Sequence, residues 1–362
     1  MSSKETKFAL IGCGAIAKKH MLALGRIDDA KVVAICDIDV NAAKDFGAKY
    51  KVQHFTDPHQ MFKEVNIDVI DILTPTGLHG KVALDLIKYN KHIVVEKPLA
   101  LKLDEIDKIL EESDKRGIKL FVVQQNRFNP PIKLLKDALN KNLFGKPVLG
   151  TVRVRWTRTQ SYYDEKKWRG TWAMDGGVLA NQASHHIDML LWMLGDVESV
   201  FAKTATQLTK IETEDTAVAV LKFTSGALGI IEATTATRPK DLEGSISILG
   251  EKGTAVVGGF FMNKMDVWNL SSQDLSSEQI KKQFETPEMP AWNHTEYLKD
   301  VIYSIKNNTR GLVDGFEGRR SVELITALYE SAESGKEVVL RFKPSRSKLG
   351  MSDENIKKSS NK

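Results

Sequence analysis

The sequence predicts an α/β plus α+β architecture: a doubly wound parallel-sheet domain over residues 1–125, then an α+β domain with an antiparallel sheet over residues 126–344. Three observations predict it. The first 125 residues carry five short, predominantly apolar runs: Phe8–Ile11, Val32–Ile35, Val69–Leu73, His92–Val95 and Leu120–Val123. Continuous rather than alternating apolar character suits strands of a parallel sheet covered on both faces. The segments between them, such as Lys81–Tyr89 and Leu103–Arg116, have helical period, which completes a strand–helix–strand repeat. Beyond Pro131 the grammar changes. A helix over Lys133–Asn142 leads through Gly145 and Pro147 into an alternating strand, Val148–Trp156, and Val178–Leu194 reads as helix. From Val197 to about Leu270, strand-like runs broken by Gly226, Gly244, Gly250 and Gly253 follow one another without helices, as in an antiparallel sheet. Helices over Trp292–Asn307 and Phe316–Ser334 and a strand over Glu337–Phe342 close the domain, and the Lys- and Ser-rich residues 345–362 read as a disordered tail.

Composition narrows the function classes. Hydrophobic residues make up 42% and charged residues 27% of the 362, a globular balance that excludes disordered and fibrous classes. Cys13 and Cys36 are too few for a disulfide framework and suit a reducing cytoplasm. No apolar run approaches the ~20 residues of a membrane-spanning helix, and the polar Met1–Lys7 segment lacks a secretory apolar core. The net charge is +5, but Lys348, Lys357, Lys358 and Lys362 of the tail supply much of it, so basicity lends little support to a nucleic-acid partner. The expectation is a cytoplasmic protein with neither a membrane nor a nucleic-acid partner.

Gly12-Cys13-Gly14-Ala15-Ile16-Ala17 directly follows the first strand and opens the first helix. Gly12 permits a tight turn, Gly14 lets backbone approach a pyrophosphate, and Ala17 takes the third small position where helix meets strand. Ala15 and Ile16 would offer helix-start amides to the phosphates. Asp37 ends the second strand 23 residues after Gly14, where a carboxylate accepts from ribose hydroxyls and repels a 2′-phosphate. NAD is therefore expected, and NADP disfavoured. The competing reading is a helix-packing glycine turn with a capping aspartate.

Two further features point to chemistry. Glu96-Lys97-Pro98 ends the fourth of the five apolar runs, on the edge where parallel sheets present ligands; there a lysine can polarise a hydroxyl, or simply pair with Glu96. In Asn181-Gln182-Ala183-Ser184-His185-His186-Ile187-Asp188, helical spacing places Asn181, His185 and Asp188 along one face. His185 suits proton transfer; a structural His–Asp bond is the alternative. A metal held by His185 and His186 is rejected, because consecutive helical residues point about 100° apart and no third ligand stands at suitable spacing. Between the domains, Arg153, Arg155, Trp156, Arg158, Tyr162, Tyr163, Trp168 and Arg169 crowd into 17 residues, a pattern that serves anionic or sugar-nucleotide substrates, a nucleic-acid surface, or a solvated edge strand.

Together these pieces resemble the Gfo/Idh/MocA oxidoreductase family. The resemblance runs from Lys7 to about Phe342, on Gly12-x-Gly14-x-x-Ala17 with His20, Thr74-Pro75-x-x-x-His79, Glu96-Lys97-Pro98, Arg127-Phe128-Asn129-Pro130, Trp168-Arg169-Gly170-Thr171 and Gly176-Gly177. It implies a Rossmann domain, a large, mostly antiparallel second sheet, assembly as tetramers or dimers, and catalysis by Lys97 and His185. It also implies that Thr74, Pro75, Thr76, His79, Glu96, Lys97, Gln125 and Trp168 attend the cofactor. Lys97, Arg127, Arg155, Tyr163, Arg169, Asn181 and His185 would then meet the substrate. Many polyol dehydrogenases of the family carry aspartate where this chain has Asn181, and an amide cannot take a proton. The form seen here is similar to members that oxidise UDP-N-acetylglucosaminuronic acid at C3 for surface-polysaccharide synthesis, some of which recycle NAD with 2-oxoglutarate. A dehydrogenase of a free polyol or sugar, and a non-catalytic NAD-binding regulator, are the alternatives.

Overall fold

The computed structural model describes residues 5–271, 277–287 and 289–340. The expected tail over 345–362, and the end of the expected strand Glu337–Phe342, lie outside them. Six strands, β1 (Thr6–Ile11), β2 (Ala30–Cys36), β3 (Gln53–Phe55), β4 (Val69–Ile72), β5 (His92–Glu96) and β6 (Leu120–Val123), form a parallel sheet in the order β3-β2-β1-β4-β5-β6. Phe8, Ala9, Leu10, Ile70, Ile93 and Val94 are fully buried, as strands covered on both faces require. The flanking helices are α1 (Ala15–Leu24), α2 (Val40–Tyr50), α3 (Pro58–Glu64), α4 (His79–Leu86) and α5 (Leu103–Lys115). The order of strand addition reverses between β1 and β4, which opens a crevice beyond their carboxyl ends.

After α6 (Pro130–Asn140) comes the second sheet: β7 (Pro147–Arg155), β8 (Val197–Ala205), β9 (Thr216–Phe223), β10 (Leu228–Thr234), β11 (Glu243–Gly250), β12 (Gly253–Gly258), β13 (Lys264–Leu270) and β14 (Val338–Val339). Their order is β13-β12-β11-β7-β10-β9-β8-β14, and only the β7–β10 pair is parallel. The remaining helices are α7 (Gln160–Asp164), α8 (Ser184–Leu194), α9 (Ser277–Gln283), α10 (Trp292–Lys306) and α11 (Gly315–Ser334). α8 lies on β7 and α11 on β8, covering one face. The opposite face leaves Phe201, Val218, Val220, Leu228 and Ile230 exposed. Among the described residues, no helix is long and apolar enough to cross a membrane.

Two expectations need adjusting. The helix expected over Val178–Leu194 begins at Ser184, and the turn before it is tied to distant elements: Glu214 Oε1 accepts from Leu179 N at 2.9 Å, and Tyr329 Oη accepts from Gly177 N at 3.1 Å. The division of the chain at residue 125 is also not a division of its cores. Tyr297, Leu298, Val301 and Ile302 of α10 and Val322 of α11 are buried in the core of the parallel sheet.

Candidate active site

The predicted nucleotide residues gather at the carboxyl ends of β1, β2 and β4. Gly12 has φ +107°, and a Cβ there would meet the Leu73 carbonyl oxygen at 2.7 Å, so this turn requires glycine. A Cβ on Gly14 would meet only open space, which is the room that a close-lying pyrophosphate needs. α1 has no side-chain cap, so the first-turn amides of Ala15 and Ile16 face a cradle suited to an anion. Asp37 Oδ2 accepts from Cys13 N at 2.8 Å and Oδ1 from Asp39 N at 2.9 Å, which fixes a half-buried carboxylate beside the phosphate turn. Thr74, Pro75 and Thr76 line the same edge, half-buried. These residues fit a dinucleotide whose ribose hydroxyls meet Asp37.

His79 and Glu96 act from behind this edge. The His79 ring nitrogens stand 2.8 Å from the Pro98 carbonyl and 2.9 Å from that of Thr74, so a buried imidazole staples the end of β4 to the turn after β5. Glu96 is 8% exposed; it accepts from Lys97 N at 3.1 Å and contacts His20 Nε2 at 3.1 Å, while His20 Nδ1 lies 2.7 Å from Asp71. Burial alone would lower the His20 pKa, but the two carboxylates raise it to about 10. Burial likewise opposes ionisation of Glu96, yet His20 holds its pKa down at about 2. The ligand atoms of His20, Glu96 and His294 lie within 4.8 Å of one another, but both His20 nitrogens are already engaged by carboxylates, which describes an ion-pair network rather than an open metal site.

Lys97 and His185 meet across the domain boundary. Lys97 Nζ donates to the Asn181 main-chain carbonyl at 2.7 Å. Burial pushes its pKa down, opposed by the charges of Glu96 and Asp175. His185, at the start of α8, has Nδ1 2.7 Å from Gln124 Oε1 and Nε2 3.3 Å from Gln125 Nε2. An amide oxygen only accepts, so Nδ1 carries the proton and Nε2 keeps its lone pair. Burial, then the Lys97 charge, holds the His185 pKa well below its usual value, so the ring is neutral. Gln124 is the functional residue that the sequence reading missed as a partner of His185. It sits at the end of β6, beside a predicted residue, and that placement was the available signal. His186, by contrast, is fully buried against Trp156, away from His185's partners.

Three predicted substrate residues are corrected. Arg127 is 1% exposed and makes a bidentate pair with Asp188 at 2.8 and 2.7 Å and a third bond to Glu317 at 2.9 Å, so its guanidinium is committed within the protein. Asp188 therefore pairs with Arg127, not with His185. Arg155 points from β7 to the open face of the sheet, where Glu232 and Glu243 bind it at 2.6 and 3.2 Å, opposite the face that α8 covers. Tyr163 is 5% exposed with its hydroxyl on Thr235 Oγ1 at 3.1 Å, and burial pushes its pKa up to about 12. Arg169 and Trp168 stay half-buried, with the Arg169 guanidinium 4.0 Å from the Tyr162 ring centre. Asn181 precedes α8 rather than riding on it, and its Nδ2 donates to Asp175 Oδ1.

Two family descriptions match this chain: an oxidoreductase-family NAD-binding Rossmann fold over residues 6–124, and the C-terminal α/β domain of the same family over residues 136–340. The chain belongs to the Gfo/Idh/MocA oxidoreductase family. Among solved structures similar to this Gfo/Idh/MocA chain is the WlbA dehydrogenase from Bordetella pertussis in complex with NADH and UDP-GlcNAcA. It is 39% identical, with a TM-score of 0.90, over 95% of this chain and 100% of that one. The WlbA dehydrogenase from Chromobacterium violaceum, in complex with the same two molecules, is also 39% identical, with a TM-score of 0.88 over 95% and 98% of the two chains. The myo-inositol 2-dehydrogenase of Thermotoga maritima is 28% identical over 340 residues, 92% of this chain and 98% of that one.

Proposed function

We propose that this oxidoreductase uses NAD to oxidise a sugar hydroxyl to a ketone, with C3 of UDP-N-acetylglucosaminuronic acid as the substrate position. One observation carries the chemistry: a neutral His185, its Nδ1 proton on Gln124 and its Nε2 an acceptor facing Gln125, near Lys97 beyond the carboxyl ends of β5 and β6. NAD held by these residues would supply the acceptor for a hydride leaving the ring carbon. His185 Nε2 takes the hydroxyl proton, and Gln124 keeps that nitrogen a base by holding the proton of Nδ1. Lys97 donates to the oxygen as negative charge develops there. Asn181 and Arg169 orient the sugar nucleotide, and Gly12, Gly14 and Asp37 hold the cofactor. The substrate assignment is supported by the 39% identity to the two WlbA dehydrogenases solved with UDP-GlcNAcA. On this reading the enzyme works in the cytoplasm on the synthesis of surface-polysaccharide sugars. It assembles through the open face of its large sheet as a tetramer or dimer, and 2-oxoglutarate is a candidate second substrate for reoxidising the cofactor.

A polyol such as myo-inositol is the second reading, favoured by the relative at 28% identity. The deciding assay incubates the purified protein with UDP-N-acetylglucosaminuronic acid, with and without 2-oxoglutarate, and follows the keto-sugar and 2-hydroxyglutarate by mass spectrometry. Formation of the keto-sugar, lost in Lys97→Met while NAD affinity stays within about twofold, is expected. Turnover of myo-inositol without turnover of the sugar nucleotide would reject the substrate. Loss of NAD affinity equal to the loss of rate would reject the role given to Lys97.

A further inference from the structure

The site holds a buried carboxylate that the proton path does not use. Asp175 is 1% exposed although it lies in a turn rather than a core strand. Its Oδ2 accepts from Gly170 N at 2.9 Å, and its Oδ1 accepts from Asn181 Nδ2. A carboxylate can only accept, so this contact decides which end of the Asn181 amide is turned outward. With Nδ2 committed, Oδ1 makes no hydrogen bond among the described residues and remains an open acceptor. The main-chain carbonyl of the same residue holds Lys97 Nζ at 2.7 Å, so Asp175, Asn181 and Lys97 are linked in sequence.

We propose that Asp175 is a positioning residue for the dehydrogenation: its carboxylate fixes the Asn181 amide with Oδ1 toward the sugar hydroxyls and supplies a negative charge beside the Lys97 ammonium. This rests on Lys97 and His185 being the reacting pair. The other titratable groups around Lys97 are accounted for. Glu96 is answered by His20, and burial holds His79, His185 and His186 below their ordinary values. Arg169 also acts on Asp175, whose own pKa burial raises against the pull of Gly170, Asn181 and Lys97.

Asp175→Asn tests the inference in the full-length, NAD-loaded enzyme. An asparagine at 175 can pair with either end of Asn181 and carries no charge. The Lys97 titration midpoint, read from its side-chain Cε resonance in protein carrying 13C-labelled lysine, should fall by about one pH unit. The kcat for UDP-N-acetylglucosaminuronic acid should fall by on the order of 100-fold, with NAD affinity within about twofold. The double exchange Asp175→Asn/Asn181→Asp, which restores one carboxylate to the pair, should recover at least about tenfold of that loss. An unchanged Lys97 midpoint, or an exchange variant no faster than Asp175→Asn, would overturn the proposal. If Asp175→Asn does not fold, Asn181→Ala decides: KM for the sugar nucleotide should rise, and an unchanged KM overturns the role of Oδ1. A wild-type protein inert toward the sugar nucleotide would sink the substrate assignment, while the Lys97 midpoint would still judge Asp175.

Discussion

Replacing Arg127 separates two roles that its sequence position leaves open. In Arg127→Met the long stem is kept and the guanidinium removed, so Asp188, 0% exposed, loses both bidentate bonds and keeps only the Ser321 hydroxyl at 2.7 Å. Two hydrogen bonds to charged groups contribute about 1.5–3 kcal/mol each. Removing one partner of a fully buried ion pair costs about 3–5 kcal/mol, so the two approaches agree. The lost contact of the guanidinium with the Trp192 ring, 4.9 Å away, adds a fraction of that. Urea unfolding followed by tryptophan fluorescence should show the unfolding free energy falling by that amount, as a lower midpoint at an unchanged m-value. The double variant Arg127→Met/Asp188→Leu should recover most of the loss, because an apolar pair of similar volume replaces a buried ion pair at little cost. The KM for the sugar nucleotide should not move in either variant. A stability loss under about 1 kcal/mol together with a roughly tenfold rise in KM would refute the reasoning and return Arg127 to the substrate.

Two other outcomes follow from the buried groups. In Gln124→Glu a carboxylate replaces the amide oxygen that faces His185 Nδ1, which raises the imidazole pKa; the acid limb of the kcat/KM profile should move up by about one pH unit, and an unmoved limb would show that Gln124 does not bond the base. Glu214 is pushed by burial up to about 7, against the opposing bonds from Leu179 N and Tyr329 Oη. Because its folded pKa lies above the unfolded one, its contribution is full below about pH 4.5 and is lost as pH rises through 7. Relative to Glu214→Gln, the wild type should therefore lose about 1.4 kcal/mol per pH unit over that window and level off above it; parallel pH profiles of thermal stability would contradict this.

The parallel strands were legible because burial on both faces forces continuous apolar runs, and β3 escaped because its three residues, Gln53-His54-Phe55, are mostly polar. Gly12 was legible because its turn excludes a side chain, while Asp37 and Lys97 drew notice because they follow strand ends and His185 because it opens a helix. What local pattern could not show was pairing over distance. Arg127 looked available because Asp188 and Glu317 lie 61 and 190 residues away, and Tyr163 because Thr235 lies 72 residues away. The contacts of Glu214 and Tyr329 with the turn before α8 were hidden in the same way, since they come from other elements. Asp175 was passed over because its place in a glycine-flanked turn resembles that of an ordinary solvated aspartate.

The return of α10 and α11 to the first sheet has a consequence for how the chain is made. The ribosome finishes β6 when barely a third of the polypeptide exists, yet Tyr297, Leu298, Val301, Ile302 and Val322, which complete that sheet's core, emerge only near the end. At about 5–20 residues per second, the nascent sheet waits on the order of ten seconds or more with an apolar flank uncovered. A fragment cut at residue 125 would keep that flank bare permanently. The nucleotide half and the chemical half therefore fold as one object, and the first half expressed alone would be a sticky remnant rather than a portable module.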